Sequence, residues 1–400
     1  MKKVIVVIAM LSLAIFFVAG CEPDYPDSVW DPDYQGKPDP IITGVEPDSA
    51  LAGIDTVRII GENFSPEVGE NHVFFDGNKA TTLSASDTVV TVLTPNVVGD
   101  SLRIQLRVDG AILFDDKYPY KLEPAVIEYG PFGDFDYVSG LACDLSENIY
   151  VLSETKDVIK VTPEGEQIEH GTTAFIKTPG MKMGPGGYLY ILRGNKKVYR
   201  IPPEGGSAST WVTLSGKVAD LDFDSNGILY AAGKGDSIYS IKSDGSFSGE
   251  AAYVDYKIVG VRVYNGYVYV AGEYSGIDTT EGIWRNEITS DEGELGDNEL
   301  VFDWGNYVGE DGPSILSITF SETGELYIGQ DKEDAITIYS LATETTRILY
   351  PGVLYPPATY MCWGNGNYLY VNRHDEEDAS KRRIMRVTMK LDGAPYYGRQ

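Results

Sequence analysis

One phrase recurs six times in the second half of this chain: a glycine or asparagine turn, then an apolar residue and a tyrosine. It reads Glu147-Asn148-Ile149-Tyr150, Gly187-Tyr188-Leu189-Tyr190, Gly227-Ile228-Leu229-Tyr230, Gly266-Tyr267-Val268-Tyr269, Gly324-Glu325-Leu326-Tyr327 and Asn367-Tyr368-Leu369-Tyr370. The tyrosines are 40, 40, 39, 58 and 43 residues apart, the period of a four-stranded propeller blade. In the first three units the register runs on, to an apolar residue eleven positions later (Val161, Ile201, Ile241) and a glycine fifteen positions later (Gly165, Gly205, Gly245). Each unit opens with a short alternating run, such as Met181-Lys182-Met183 or Leu221-Asp222-Phe223, then turns into a run rich in Tyr, Val, Ile and Leu. Alternation followed by a tight turn signals a β-hairpin. One such sheet cannot bury both faces alone, so the units must stack around an axis. Six units predict an all-β, six-bladed propeller over residues 125–400. The repeat tyrosine is then a core residue, its ring packed between blades and its hydroxyl seeking a polar partner.

The sixth unit lacks a strand. After its third strand, Ile384–Thr388, only a Lys-Leu-Asp-Gly turn and a short tail containing Pro395 remain. The run Ala125-Val126-Ile127-Glu128-Tyr129, just ahead of the first unit, is expected to supply that outer strand, which would close the ring and remove an exposed sheet edge. Unit four departs from the pattern through an acidic insertion around Thr279–Gly312. On the turn-apolar-tyrosine phrase, residues 125–400 resemble the NHL-type family of six-bladed propellers.

The front of the chain reads differently. Residues 1–20 carry Lys2 and Lys3, an apolar run from Val4 to Val18, and small residues ahead of Cys21, the pattern of a secretory signal. Val18-Ala19-Gly20-Cys21 resembles the bacterial lipobox, which implies that Cys21 becomes the lipid-modified first residue and that the chain is held on a membrane; a plain signal peptide or a membrane helix is the alternative. Glu22 after that cysteine resembles surface-export signals of some bacterial lipoproteins, implying an outer-membrane, surface-exposed location. In other bacteria an acidic neighbour means retention at the inner membrane. Residues 21–39, rich in Asp, Pro and Tyr, read as a solvated, semi-extended tether. Residues 40–123 then show short alternating strands with turn residues at β-sandwich spacing. Val45-Glu46-Pro47, Gly53, Val57-Arg58-Ile59-Ile60-Gly61-Glu62-Asn63-Phe64 and Val73-Phe74-Phe75-Asp76-Gly77 resemble the IPT/TIG immunoglobulin-like domain, which implies a spacer.

Charge and rare residues restrict the chemistry. The chain has 32 basic and 60 acidic side chains, and loss of residues 1–20 leaves 30 against 60. Such a surface repels phosphate backbones and excludes a nucleic-acid role. The three histidines, His72, His170 and His374, are too scattered for a histidine-based site. No nucleophile motif, zinc-binding His pair or phosphate loop is present, and no cofactor is expected; Ca²⁺ is the one ion the acidic composition would suit. Asp222-Phe223-Asp224-Ser225-Asn226-Gly227 resembles the front of a calcium loop, but its twelfth position, where a bidentate Glu belongs, is Gly233. An Asx-type turn on a propeller hairpin is the simpler reading. Cys143 and Cys362 fall on the first strands of units one and six, which are expected to hold buried thiols rather than a disulfide.

Aromatic residues outside the phrase suggest a site. The segments leading into the first strands carry Phe135 and Tyr137, Phe175, Trp211, Tyr253 and Tyr256, Trp304 and Tyr307, and Tyr350 and Tyr355. In a propeller these connections converge on one mouth of the channel, where aromatic faces could stack on sugar rings. Phe175, Trp211, Tyr256, Trp304, Tyr307 and Tyr355 are the candidate ligand platform, with Asp220, Asp303 and Asn306 available for hydroxyl groups. Inter-blade packing is the competing role for each ring. The combination of lipobox, spacer and propeller resembles accessory binding proteins of bacterial polysaccharide-uptake systems, which implies a non-catalytic, glycan-binding lipoprotein. A metal-dependent propeller lactonase, hydrolase or lyase, and a structural scaffold for an envelope protein, are the rival expectations.

Overall fold

The structure, a computed structural model, describes residues 36–399 apart from 135, 277–279 and 376. The leader, Cys21, most of the tether and Phe135 lie outside these residues. Residues 41–123 form two antiparallel-rich sheets packed face to face. One orders Ile41–Glu46, Thr56–Glu62, Val89–Leu93 and Thr81–Ala85; the other orders Ser49–Leu51, Asp115–Glu123, Gly99–Val108, Asn71–Phe75 and Asn78–Lys79. Alternation dictates which side is buried: Val57 and Ile59, and Leu102, Ile104, Leu106 and Val108, all face the shared core. This is the expected immunoglobulin-like sandwich.

The rest of the chain forms six sheets, one per repeat; five have four strands, and the first gains a fifth where Gly206–Ser207 pairs parallel with Gln167–Thr172. Their first strands are Val138–Cys143, Met181–Met183, Asp220–Phe223, Tyr256–Tyr264, Ile315–Phe320 and Tyr360–Trp363, and they neighbour one another around the channel. Second strands carry the repeat tyrosines, and all six rings are buried. In blade four most of the acidic insertion is strand. Thr280–Ile288 and Leu295–Asp303 are simply long third and fourth strands, followed by a short helix, Trp304–Val308.

Blade six is shared between the two ends of the chain. Val126–Glu128 pairs antiparallel with Arg383–Thr388, with Val126 opposite Val387 and Glu128 opposite Met385. The Tyr129 hydroxyl then donates to the Thr162 carbonyl at 2.9 Å, tying this strand to blade one. The C-terminal residues do more than end the chain. Gly393 bridges Ser321, Ala394 N–H donates to the Phe320 carbonyl at 3.0 Å, and the Tyr396 hydroxyl donates to the Met183 carbonyl at 2.7 Å. All of these partners lie where first strands enter their hairpin turns, so the tail lies across one mouth of the channel. Cys143 and Cys362 are buried thiols in one apolar cluster, with no disulfide between them.

Candidate functional site

The repeat itself builds the channel wall. Directly across the hairpin from the six tyrosines stand Ala142, Lys182, Asp222, Arg262, Thr319 and Cys362, one from each blade. Two pairs of opposite charge are built from this ring and from Asp220, two residues before Asp222. Arg262 Nη1 lies 2.6 Å from Asp220 Oδ2, and Lys182 Nζ lies 3.8 Å from Asp222 Oδ1. Both carboxylates also accept main-chain N–H groups of blade four, Asp220 from Val261 at 2.9 Å and Asp222 from Val263 at 3.0 Å. Burial and the neighbouring Arg262 guanidinium hold the Lys182 ammonium below the ordinary lysine range. Charges this deep must be paired, because removing one partner strands the other away from water. Lys182 Nζ also sits 4.7 Å from the centre of the Tyr396 ring. Only about 30 Å³ of space remains beneath the tail, lined by Lys182, Asp222, Arg262, Thr319, Cys362 and Tyr396. That is room for about one water molecule, so the turn-side mouth is sealed.

The opposite mouth is open. Two clefts of about 540 and 500 Å³ meet there at Leu316. The first is lined by Lys257, Glu273, Glu281, Glu310 and Ser314, the second by Lys177, Asp331, Thr359, Tyr360, His374, Asp375 and Glu377. Asp331 joins them by accepting the Ser314 N–H at 2.8 Å. Glu281 Oε1 accepts the Ile315 N–H at 2.7 Å, yet burial pushes the carboxyl up to about 7. His374 Nδ1 meets the Val138 carbonyl at 2.7 Å, and its ring stands edge-on to Tyr137 at 4.3 Å. Lys177 and Arg382 lie over the Tyr137 ring, 4.8 and 5.1 Å from its centre. Among the described residues, no three His, Cys, Asp or Glu side chains converge to hold a metal ion. In the Asp222–Gly227 segment, Asp224 accepts the N–H groups of Asn226 and Ile228 at 2.9 Å each, which makes it an Asx turn.

The candidate aromatic platform does not assemble. Trp304 is 0% exposed and its indole N–H donates to the Pro313 carbonyl at 2.6 Å, so it offers a ligand no face. Phe175 is buried against Tyr199. Trp211 stands on the outer strand of blade two, half-buried against Tyr190 and Arg200. Tyr256 opens the first strand of blade four and packs among Tyr253, Tyr274 and Trp284. Tyr307 and Tyr355 are exposed on segments leading to the open mouth, but neither lines the two clefts. Asp220 is committed to Arg262, and Asp303 caps the short helix by accepting the Asn306 N–H at 2.9 Å. Apolar area explains these corrections: a large ring beside a blade interface gains more from burial than from facing water. Of the residues that do line the mouth, Asp331, His374, Asp375 and Glu377 follow second strands and Lys177, Ser314 and Thr359 sit just ahead of first strands, while Lys257, Glu273 and Glu281 come from the strands of blade four. Only their recurrence at equivalent blade positions could have revealed them.

Residues 40–121 match the IPT/TIG domain family. No curated protein matches the chain. Among solved structures, an auxiliary nutrient binding protein from Bacteroides ovatus is similar over 88% of this chain and 98% of its own, at 12% identity and a TM-score of 0.51. A Bacteroides thetaiotaomicron protein classed provisionally as a phosphatase is similar over 89% and 98%, at 12% identity and a TM-score of 0.56. A luciferin-regenerating enzyme is similar over 68% of this chain and 99% of its own, at 14% identity and a TM-score of 0.53. At such identities the likeness is one of fold, and a propeller hosts binding proteins and enzymes alike.

Proposed function

We propose that this chain is a cell-envelope lipoprotein, anchored through Cys21 and displayed on the outer membrane, whose propeller binds a glycan as a non-catalytic accessory of polysaccharide uptake. One observation carries the reading: the channel is sealed at its turn side, and its open mouth interleaves carboxylates, lysines, hydroxyls and main-chain groups around two adjoining clefts. Alternating donors and acceptors suit a neutral, polyhydroxylated ligand, and the acidic rim disfavours a polyanion. The exposed rings of Tyr307 and Tyr355 stand on the same side. Similarity to an auxiliary nutrient binding protein over nearly the whole chain supports the same reading. Calorimetric titration with a panel of neutral oligosaccharides tests it. Glu377→Ala and Lys177→Ala should each weaken a positive interaction several-fold while the melting temperature holds; binding indifferent to both changes would remove the mouth from consideration.

Glu281 favours a second reading, catalysis. A carboxyl that titrates near neutrality inside a cleft can exchange protons with a bound substrate. Turnover of any lactone or glycoside that is lost in Glu281→Gln would replace the binding role with an enzymatic one.

A further inference from the structure

The hairpin that ends Gly99–Val108 and begins Asp115–Glu123 carries three consecutive apolar side chains at its tip. Ile112, Leu113 and Phe114 are 64%, 62% and 57% exposed, and Tyr118 beside them is 58% exposed. A run of this kind on a soluble surface marks a contact site. Its position narrows the partner. The described chain begins against this tip: Lys37 bridges Ala111, Leu113 N–H donates to Asp39 Oδ1 at 2.8 Å, and Gly36 abuts Ile112. The propeller lies at the other end of the same hairpin, since Asp115–Glu123 runs directly into Val126–Glu128. Nine residues of strand separate the two ends by roughly 30 Å. The sandwich is therefore polar in the architectural sense, with chain entry and the apolar tip at one end and the propeller at the other.

From this geometry we propose that Ile112-Leu113-Phe114 is a membrane-contacting tip that inserts at the surface of the bilayer holding the chain, fixing the sandwich upright and the propeller outward. Gly36 is fifteen positions on from Cys21, a span of at most about 50 Å, so an anchor at Cys21 keeps the tip within reach of lipid. Tethering raises the effective concentration of a contact that would be weak alone, and three apolar side chains need only a shallow interfacial depth. Tyr118 with Arg103, 5.8 Å from its ring centre, resembles the aromatic and basic pairing found at headgroup level. A second copy of this chain is the competing occupant, because an exposed apolar tip also suits self-association.

The proposal rests on the lipid-anchor reading only for delivery, so the experiment supplies that anchor artificially. A chain of residues 21–400 with Cys21→Ser and an N-terminal hexahistidine is loaded on vesicles of phosphatidylethanolamine, phosphatidylglycerol and a nickel-chelating lipid. In Phe114→Trp, brominated acyl chains should quench the new indole at least twofold more than they quench the parent's tryptophans. Adding Ile112→Asp and Leu113→Asp should abolish that excess with an unchanged melting temperature. No excess quenching, or a concentration-dependent dimer that the aspartates dissolve, overturns the proposal. Acyl labelling of the unaltered chain, compared with Cys21→Ser in cells, reports separately on the anchor: loss of that reading leaves the quenching result standing.

Discussion

At the residue scale, the repeat tyrosines show how one side chain serves packing and turn geometry together. In blade one the Tyr150 hydroxyl donates to Asp144 Oδ2 at 2.8 Å, and Asp144 also accepts the N–H groups of Ser146 and Asn148. Tyr230 and Asp224 repeat this in blade three. Blade six has Gly364 at the corresponding place, and Glu147 of blade one reaches across instead. It accepts the Tyr370 hydroxyl at 3.2 Å and the Asn365 N–H at 2.6 Å, and a Cβ at 364 would overlap its carboxylate. Trp304 tests the division between core and site. Trp304→Ala should cost about 3–5 kcal/mol of stability, read by urea denaturation, and leave the affinity of the folded fraction unchanged; a weakened affinity at unchanged stability would return Trp304 to the site. Glu281 makes a pH prediction. Its folded value, about 7, lies above the unfolded 4.5, so the native state binds the extra proton between those limits. The stabilisation is complete below pH 4.5 and is lost as pH rises to about 7. Glu281→Gln keeps an acceptor for the Ile315 N–H, so its melting temperature relative to the parent should climb between pH 5 and pH 8, and a flat difference would contradict the assignment.

At the element scale, residues 393–396 act as a closure of the channel. Tyr396 covers the Lys182–Asp222 pair, and Gly393 packs where its added Cβ would strike the Trp363 ring. Cys362 lines the sealed space beneath. A chain truncated after Asp392 should therefore expose Cys362 to a maleimide, with labelling at least tenfold faster than in the full chain and the folded baseline retained. Equal rates would mean that the blades, not the tail, exclude solvent. The interior ion pairs explain why a seal is needed: admitted water would screen charges whose pairing offsets the cost of burying them.

At the scale of the whole molecule, closure depends on a strand donated from the far end of the propeller sequence. Deleting residues 125–130 leaves the Arg383–Thr388 edge unpaired and cuts the Tyr129 link to blade one. The melting transition of the entire propeller should fall by 10 °C or more, on the order of 2–4 °C per kcal/mol for a domain of this size. Deleting residues 36–122 should leave that transition within a few degrees, although it removes the Lys390–Asp55 ion pair of 2.5 Å between sandwich and propeller. Calorimetry on both deletions decides whether ring closure carries the stability; similar losses would assign it to the sandwich contact instead.

Periodicity made much of this legible from residues alone. A turn, an apolar residue and a tyrosine repeated six times, 39 to 58 positions apart, can bury their apolar face only by stacking blades, and the unpaired third strand of the sixth unit called for a partner that only Ala125–Tyr129 offered. The Asx turn at Asp224 was legible too, because its side chain answers to main-chain groups two and four residues away. The site was not. Whether Trp304 faces ligand or core, and whether Asp220 meets a sugar hydroxyl or Arg262, depends on neighbours that are 9 and 42 residues distant along the chain. Local pattern carries no information about such distances. The tertiary structure alone decided that the channel is filled by opposite charges from adjacent blades and stoppered by Tyr396, because a ring closure brings together residues whose separation in sequence is set by loops rather than by the repeat.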